Sequence, residues 1–333
     1  MKKTLSTIGT VLLFCFILFL FLFGDRLVDV GSTEGIGQSY LNVNTIFVGI
    51  VLEALPFILI GVFASSLIQV FVKEEWLVRV IPKKPILSII PAIIVGALLP
   101  ICECAIVPVV RRLLSKGMPV YVAMVLFVSA PVLNPIVFAS TFYSFQGVPE
   151  VYWGRMILAA IVALVIGYYF VMKNFTSVLK TDAVLVSHNH QAKGFKNKTN
   201  EILQHMSDEF FDVGKFLLLG AFIAASFQAF FPRDLLESVG QSTIASPIVM
   251  MILAYILSLC SEADAFVAAS FANSFSIPAI LAFLVYGPMI DLKNTLLMLA
   301  YFKKGFVLRF ISVVTVSVFV IIMLFTIWLG VTS

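Results

Sequence analysis

Two short segments of this chain carry sulfur and carboxyl groups at close spacing. The first is Cys102-Glu103-Cys104, preceded by Pro100 and followed by Pro108; the second is Cys260-Ser261-Glu262-Ala263-Asp264. Thiolates suit soft, thiophilic ions, and neighbouring carboxylates can take up the protons that thiols release. Cys102, Cys104 and Cys260 are therefore candidate ligands for a metal-like solute, with Glu103, Glu262 and Asp264 beside them. The competing reading of any cysteine in an apolar helix is packing as a small hydrophobic residue. That reading is applied to Cys15, which stands alone.

A second pair of segments, 129–135 (SAPVLNP) and 287–294 (GPMIDLKN), combines proline with a polar residue. Proline lacks the amide proton, so it interrupts a helix and leaves carbonyls for a ligand. Pro131, Asn134, Pro288 and Asp291 are candidate solute-binding positions, set against a kink used for packing. Asp291 and Lys293 can partly neutralise each other, although their spacing does not bring them face to face on a regular helix. Glu53 lies in an apolar stretch just before Pro56 and is read as lining a cavity or bonding near an interface. Arg155 and Lys215 sit near the ends of apolar runs and are read as reaching out to the interface. His188 and His190 belong to a polar loop and are read as solvated; Gly61, Gly96 and Gly220 are read as points of close helix approach.

These groups need positioning elements, and the composition allows one class. The chain has 333 residues, 61% hydrophobic and 12% charged, whereas soluble domains carry about 25% charged residues. The excess falls in runs of roughly 20 residues, the length that crosses a bilayer as a helix. Strands of about 10 alternating residues, which a membrane barrel needs, do not occur. The fold class is all-α, a polytopic membrane protein. Apolar segments lie near 8–24, 46–72, 85–110, 118–144, 152–172, 210–231, 245–270, 276–302 and 306–330. The first, after Met1-Lys2-Lys3, is followed by Gly24-Asp25-Arg26 and not by a small-residue cleavage site, so it is read as an uncleaved span.

The two halves of the chain resemble each other. Residues 57–61 (FILIG) match 216–220 (FLLLG), Cys102 matches Cys260, and Asn134 matches Asp291, all at nearly the same offset. Three matches in order argue for a duplicated unit. Lys and Arg near span ends mark cytoplasmic loops. If every segment spans, Arg111, Arg112 and Lys116 fall outside. If 85–115 and 245–275 instead enter and return as hairpins, the basic groups at Lys73, Arg79, Lys83 and Lys84, at 111–116, at 173–209 and at Lys303, Lys304 and Arg309 all fall inside. That arrangement makes two inverted repeats, each with a broken or re-entrant hairpin, plus one extra N-terminal span. The N-terminus is cytoplasmic. The divisions are 1–44 (N-terminal span and extracytoplasmic segment), 45–173 (first repeat), 174–208 (cytoplasmic linker) and 209–333 (second repeat).

No phosphate-binding loop of the Gly-x-x-x-x-Gly-Lys-Ser/Thr type, no His-Glu-x-x-His and no Gly-x-Ser-x-Gly is present. The expectation is a non-enzyme without a cofactor and without its own ATPase. A net charge of +4 is accounted for by basic cytoplasmic loops and does not point to nucleic acid.

Segments 96–108 (GALLPICECAIVP), 111–117 (RRLLSKG), 129–135 and 287–294 resemble the predicted-permease family of bacteria (domain of unknown function 318), which includes the organoarsenical efflux permeases. The resemblance runs from about residue 45 to 330. It implies a plasma-membrane permease, often with a second membrane subunit encoded alongside, whose arsenical branch meets trivalent arsenic through cysteines. The expected function is movement of a small thiophilic or metal-like solute, an arsenical or a divalent metal. The alternatives are a subunit of a two-component permease for amino acids or other organic solutes with proton coupling, and a non-transporting scaffold or sensor. The expected partners are the lipid bilayer, the solute, the second subunit and, at the level of assembly, a second copy of the chain.

Overall fold

The computed structural model describes residues 34–71, 85–99, 101–173, 175, 178–180, 195–230 and 242–332. The expected first span (8–24), Cys15, the pair His188 and His190, and the basic groups of 73–84 lie outside these residues. The described elements are helical: α1 (Glu34–Phe71), a 3-10 turn (Ile86–Ser88) leading into α2 (Ile89–Leu98), α3 (Glu103–Ser115), α4 (Val120–Leu133), α5 (Pro135–Ser144), α6 (Pro149–Lys173), α7 (Phe195–Phe230), α8 (Ala245–Leu257), α9 (Asp264–Ser270), α10 (Ile277–Met289), α11 (Leu292–Tyr301) and α12 (Lys304–Thr332). The sequence-based linker 174–208 is thus helical in its second part, because α7 begins at Phe195.

Six described stretches are long and apolar enough to cross a membrane: Asn42–Leu67, Val120–Ser144, Pro149–Lys173, Glu209–Ala229, Ile277–Tyr301 and Lys304–Leu329. Segments 85–110 and 245–270 are not among them. Each breaks into two short helices: α2 and α3 have 10 and 13 residues, α8 and α9 have 13 and 7. At 1.5 Å per residue the longest of these is about 20 Å, well short of the roughly 30 Å hydrocarbon core.

The order of elements repeats. Each half runs long helix, two short helices, a helix broken in the middle, and a long helix. The breaks follow the prolines. Pro131 sits in the last turn of α4, Asn134 is extended (φ −71°, ψ 152°), and Pro135 starts α5. A residue before proline is sterically pushed out of the helical region. Pro288 sits in the last turn of α10, and Ile290 and Asp291 are extended before α11 begins.

α4 and α10 are buried all round, continuously over 122–132 and 278–289, as helices apolar on every side should be. α6 and α12 flank them. α6 buries Val151, Arg155, Leu158, Val162 and Ile166 and exposes Trp153, Ile157, Ile161, Val165 and Tyr168. A helix with apolar residues on both its inner and outer faces is matched to lipid. The long helices α1 and α7 pack along each other, α1 against α3 and α7 against α11. Two contacts cross between the halves reciprocally: α3 lies on α11, and α9 lies on α5. Gly61 and Gly96 are where backbones meet: a Cβ on Gly61 would fall 2.2 Å from the Ala105 Cβ, and one on Gly96 2.1 Å from the Ser129 Oγ.

Arg111 and Arg112 are not loop residues, as the hydropathy pattern suggested. α3 continues through them to Ser115, and they are 4% and 3% exposed. The Arg111 guanidinium lies 4.3 Å from the centre of the Tyr301 ring, and Arg112 is 3.4 Å from Glu209, which also accepts a hydrogen bond from Ser65. Packing inside the bundle satisfies charges that, from the sequence, looked like the end of an apolar run.

Candidate functional site

The first thiol segment opens α3. Cys102 is the extended residue before the helix (φ −74°, ψ 168°), and Glu103 is its first residue, where the positive end of the helix favours an acid. The three thiols and Glu103 are all buried, at 3% for Cys102, 1% for Glu103, 4% for Cys104 and 7% for Cys260. They surround one small cavity together with Ile50, Glu53, Ala54 and Lys293. Its volume is about 10 Å3, room for about one water molecule. The residues come from α1, from the start of α3, from the turn between α8 and α9, and from α11, so both halves contribute.

Lys293 was not singled out as a site residue from the sequence, yet its ammonium is the cation of this cluster. Nζ lies 4.0 Å from Glu103 Oε1 and 3.6 Å from Asp291 Oδ2. The i,i+2 spacing is bridged because Asp291 is extended (φ −132°, ψ 176°) and stands outside the helix that holds Lys293. Asp291 Oδ1 accepts the Asn294 N–H at 2.6 Å, capping α11. Asp291 Oδ2 and both Glu103 oxygens have no hydrogen-bond partner. Buried ionisable groups are usually paired and bonded, so this cluster is loosely satisfied.

At the second tip, Cys260 donates to Glu262 Oε2, which also accepts from Ser261 Oγ at 3.3 Å. Ser258 ends α8 in a left-handed conformation (φ 49°, ψ 45°), uncommon for a residue other than glycine. Its hydroxyl accepts the Leu292 N–H at 3.1 Å, tying this turn to the start of α11. Sequence reading missed Ser258, since nothing local signals a strained serine.

The remaining candidates lie apart. Asp264 is bound by Arg155, with Nη1 to Oδ1 at 3.0 Å and Nη2 to Oδ2 at 2.7 Å. Arg155 also donates to Thr141 Oγ1 at 2.8 Å and to the Ser261 carbonyl at 3.3 Å. It is fully buried, which corrects the interface-reaching role read from its place near a span end. Lys215 is partly exposed and pairs with Asp212 at 2.7 Å. Asn134 caps α5, accepting the Val137 N–H at 2.9 Å and donating to the Ala130 carbonyl at 3.3 Å. Pro131 and Pro288 are buried within α4 and α10. Among the described residues, no three His, Cys, Asp or Glu side chains converge closely enough to hold a metal ion.

A family model described as "Predicted permease" matches residues 39–327. The chain is 44% identical over 286 residues to the UPF0718 protein YcgR of Bacillus subtilis (strain 168), covering 84% of this chain and 96% of that protein. It is 38% identical over 286 residues to a "Putative two-component membrane permease complex subunit" of Streptococcus mutans serotype c, covering 86% and 94%. No solved structure matches. With the family model spanning most of its length and a relative this similar, the chain is a multi-pass membrane protein belonging to the predicted-permease family.

Proposed function

We propose that this chain forms the solute path of a permease that moves a thiophilic or metal-like solute across the plasma membrane. It has no enzymatic activity and no ATPase of its own. The observation that carries this reading is the cavity where Cys102, Cys104 and Cys260 meet Glu103, Glu53 and Lys293. Soft and hard donors from both halves line one small cavity within a lipid-matched bundle, the arrangement expected where irregular backbone lines a path. Segments 85–115 and 245–275 act as re-entrant hairpins from opposite sides, in two inverted repeats, with the N-terminus in the cytoplasm. The repeated element order and the reciprocal contacts of α3 with α11 and α9 with α5 support this. The Streptococcus relative's description supports a second membrane subunit as partner.

The test is the double variant Cys102→Ser, Cys104→Ser, assayed for Cd2+ and trivalent arsenical flux in vesicles, with and without the partner subunit. Flux is expected to vanish while the protein stays in the membrane. Unchanged flux would remove the thiols from the mechanism. Amino-acid flux that ignores the thiols but depends on pH and on Glu262 would favour a proton-coupled organic solute.

A further inference from the structure

Resting on the permease reading, we propose that the Lys293 ammonium is a tethered stand-in for the transported solute, which is therefore a compact cation. Lys293 holds the Glu103 and Asp291 carboxylates while the site is unloaded, and a divalent cation displaces it on binding.

Four observations carry this. First, the pair is not built as a structural tie. Both Nζ distances, 4.0 and 3.6 Å, are beyond hydrogen-bond length. Arg155 and Asp264, in the same protein, show what a tie looks like: two bonds of 3.0 and 2.7 Å. Second, Glu103 is 1% exposed, lines the cavity, and has neither oxygen hydrogen-bonded. A buried carboxylate so placed is poised for a ligand that brings positive charge. Third, the charge of the neighbourhood selects cations. Glu53 and Glu103 line the cavity with Lys293, Asp291 lies 3.6 Å from that ammonium, and Glu262 is bonded to Cys260, another lining residue. An anion would meet four carboxyl groups. Fourth, the backbone and first carbons of Lys293 are held by packing, so that displacement of the ammonium falls to the outer part of its stem. A Cβ on Gly220 would fall 3.1 Å from the Lys293 Cα and 3.3 Å from its Cγ, so α7 presses directly on α11 there.

The same geometry accounts for the absence, among the described residues, of a cluster closed enough for a metal. The carboxylates are spread around an ammonium. When the stem swings away, Glu103, Asp291 and Cys104 are left facing the space it filled. A tethered cation also offsets part of the charge of the unloaded site, one ammonium against the Glu103 and Asp291 carboxylates. Unneutralised carboxylates oppose the carrier's return through the low-dielectric interior, so Lys293 favours net flux over exchange by lowering that charge.

The experiment uses the full chain in lipid nanodiscs with Cd2+ as the probe, read by equilibrium binding. Lys293→Met is expected to bind Cd2+ at least tenfold more tightly than wild type. Lys293→Arg, which keeps the charge, is expected to bind no more tightly than wild type. Adding Glu103→Gln to Lys293→Met should cancel the gain. In vesicles, Lys293→Met should keep Cd2+ exchange but lose at least tenfold in net flux. Lys293→Gln provides the same reading where the methionine variant fails to accumulate. Cd2+ affinity equal to or below wild type in the neutral variants would overturn the proposal. Failure of the permease reading looks different: wild-type vesicles then carry no Cd2+ with or without the partner, while the binding comparison still decides the role of Lys293.

Discussion

Asp264 and Glu103 are both acids in the first turn of a short helix, one in each half of the chain, and their surroundings are opposite. Asp264 gives both oxygens to Arg155, whose guanidinium is further held by Thr141 and the Ser261 carbonyl. Glu103 faces an ammonium 4.0 Å away and makes no side-chain hydrogen bond. A planar guanidinium matches a carboxylate bidentately, whereas an ammonium is a mobile point charge. One tip therefore anchors the bundle, and the other is held only loosely.

The comparison is broken most sharply at the anchor. Asp264→Ala leaves the fully buried Arg155 without its counter-charge, which costs about 3–5 kcal/mol. Thermal unfolding in detergent should show a large fall in midpoint or in membrane yield. Replacing both partners with apolar residues, Arg155→Met with Asp264→Leu, should recover most of the loss. A stable Asp264→Ala protein that merely stops transporting would reverse the roles of the two tips.

Next in size is the packing that seats the loosely held tip. The would-be Cβ of Gly61 meets the Ala105 Cβ and its Cα, 2.2 and 2.7 Å away. Because the obstacle includes backbone of α3, the helices must part, and overpacking of this kind costs about 1–3 kcal/mol. Gly61→Ala should lower the unfolding midpoint and also weaken flux, because Ala105 adjoins Cys104. Equal stability and flux would show that α1 does not set the position of the tip.

These two regions were unequally legible in the sequence. Cys102, Glu103, Cys104 and Cys260 were found because close spacing of sulfur and carboxyl groups is a local pattern, and the helix breaks at Asn134 and Asp291 because proline acts on its neighbours. The glycine contacts follow from the same local logic. The pairing of Arg155 with Asp264 joins residues 109 apart, and that of Arg112 with Glu209 joins residues 97 apart. No periodicity reports such distances, so Asp264 looked like a solute ligand and the arginines looked like helix ends. Lys293 was judged by helical geometry that its neighbour Asp291 does not obey.

A smaller effect separates the two helix breaks. Asn134 is fully used as a cap, so Asn134→Ala should cost about 1 kcal/mol and leave flux per folded molecule unchanged. Asp291→Asn keeps the capping oxygen for the Asn294 N–H but removes the charge beside Lys293. It should unfold almost as wild type does and still lose transport. Parallel loss of stability and flux in both variants would mean that the breaks serve packing alone.

The smallest effect on stability, and the most telling, belongs to Glu103. A buried carboxylate whose oxygens lack hydrogen bonds contributes little to the fold, because its attraction to Lys293 is offset by the loss of hydration. Glu103→Gln keeps the shape and removes the charge, so the unfolding midpoint should shift by no more than about 1 kcal/mol equivalent in either direction. Flux should nevertheless fall at least tenfold if the proposed solute path runs through the cavity that Glu103 lines. A variant that unfolds early would make Glu103 a second anchor like Asp264. The asymmetry between the tips would then lie only in bond length, and not in purpose.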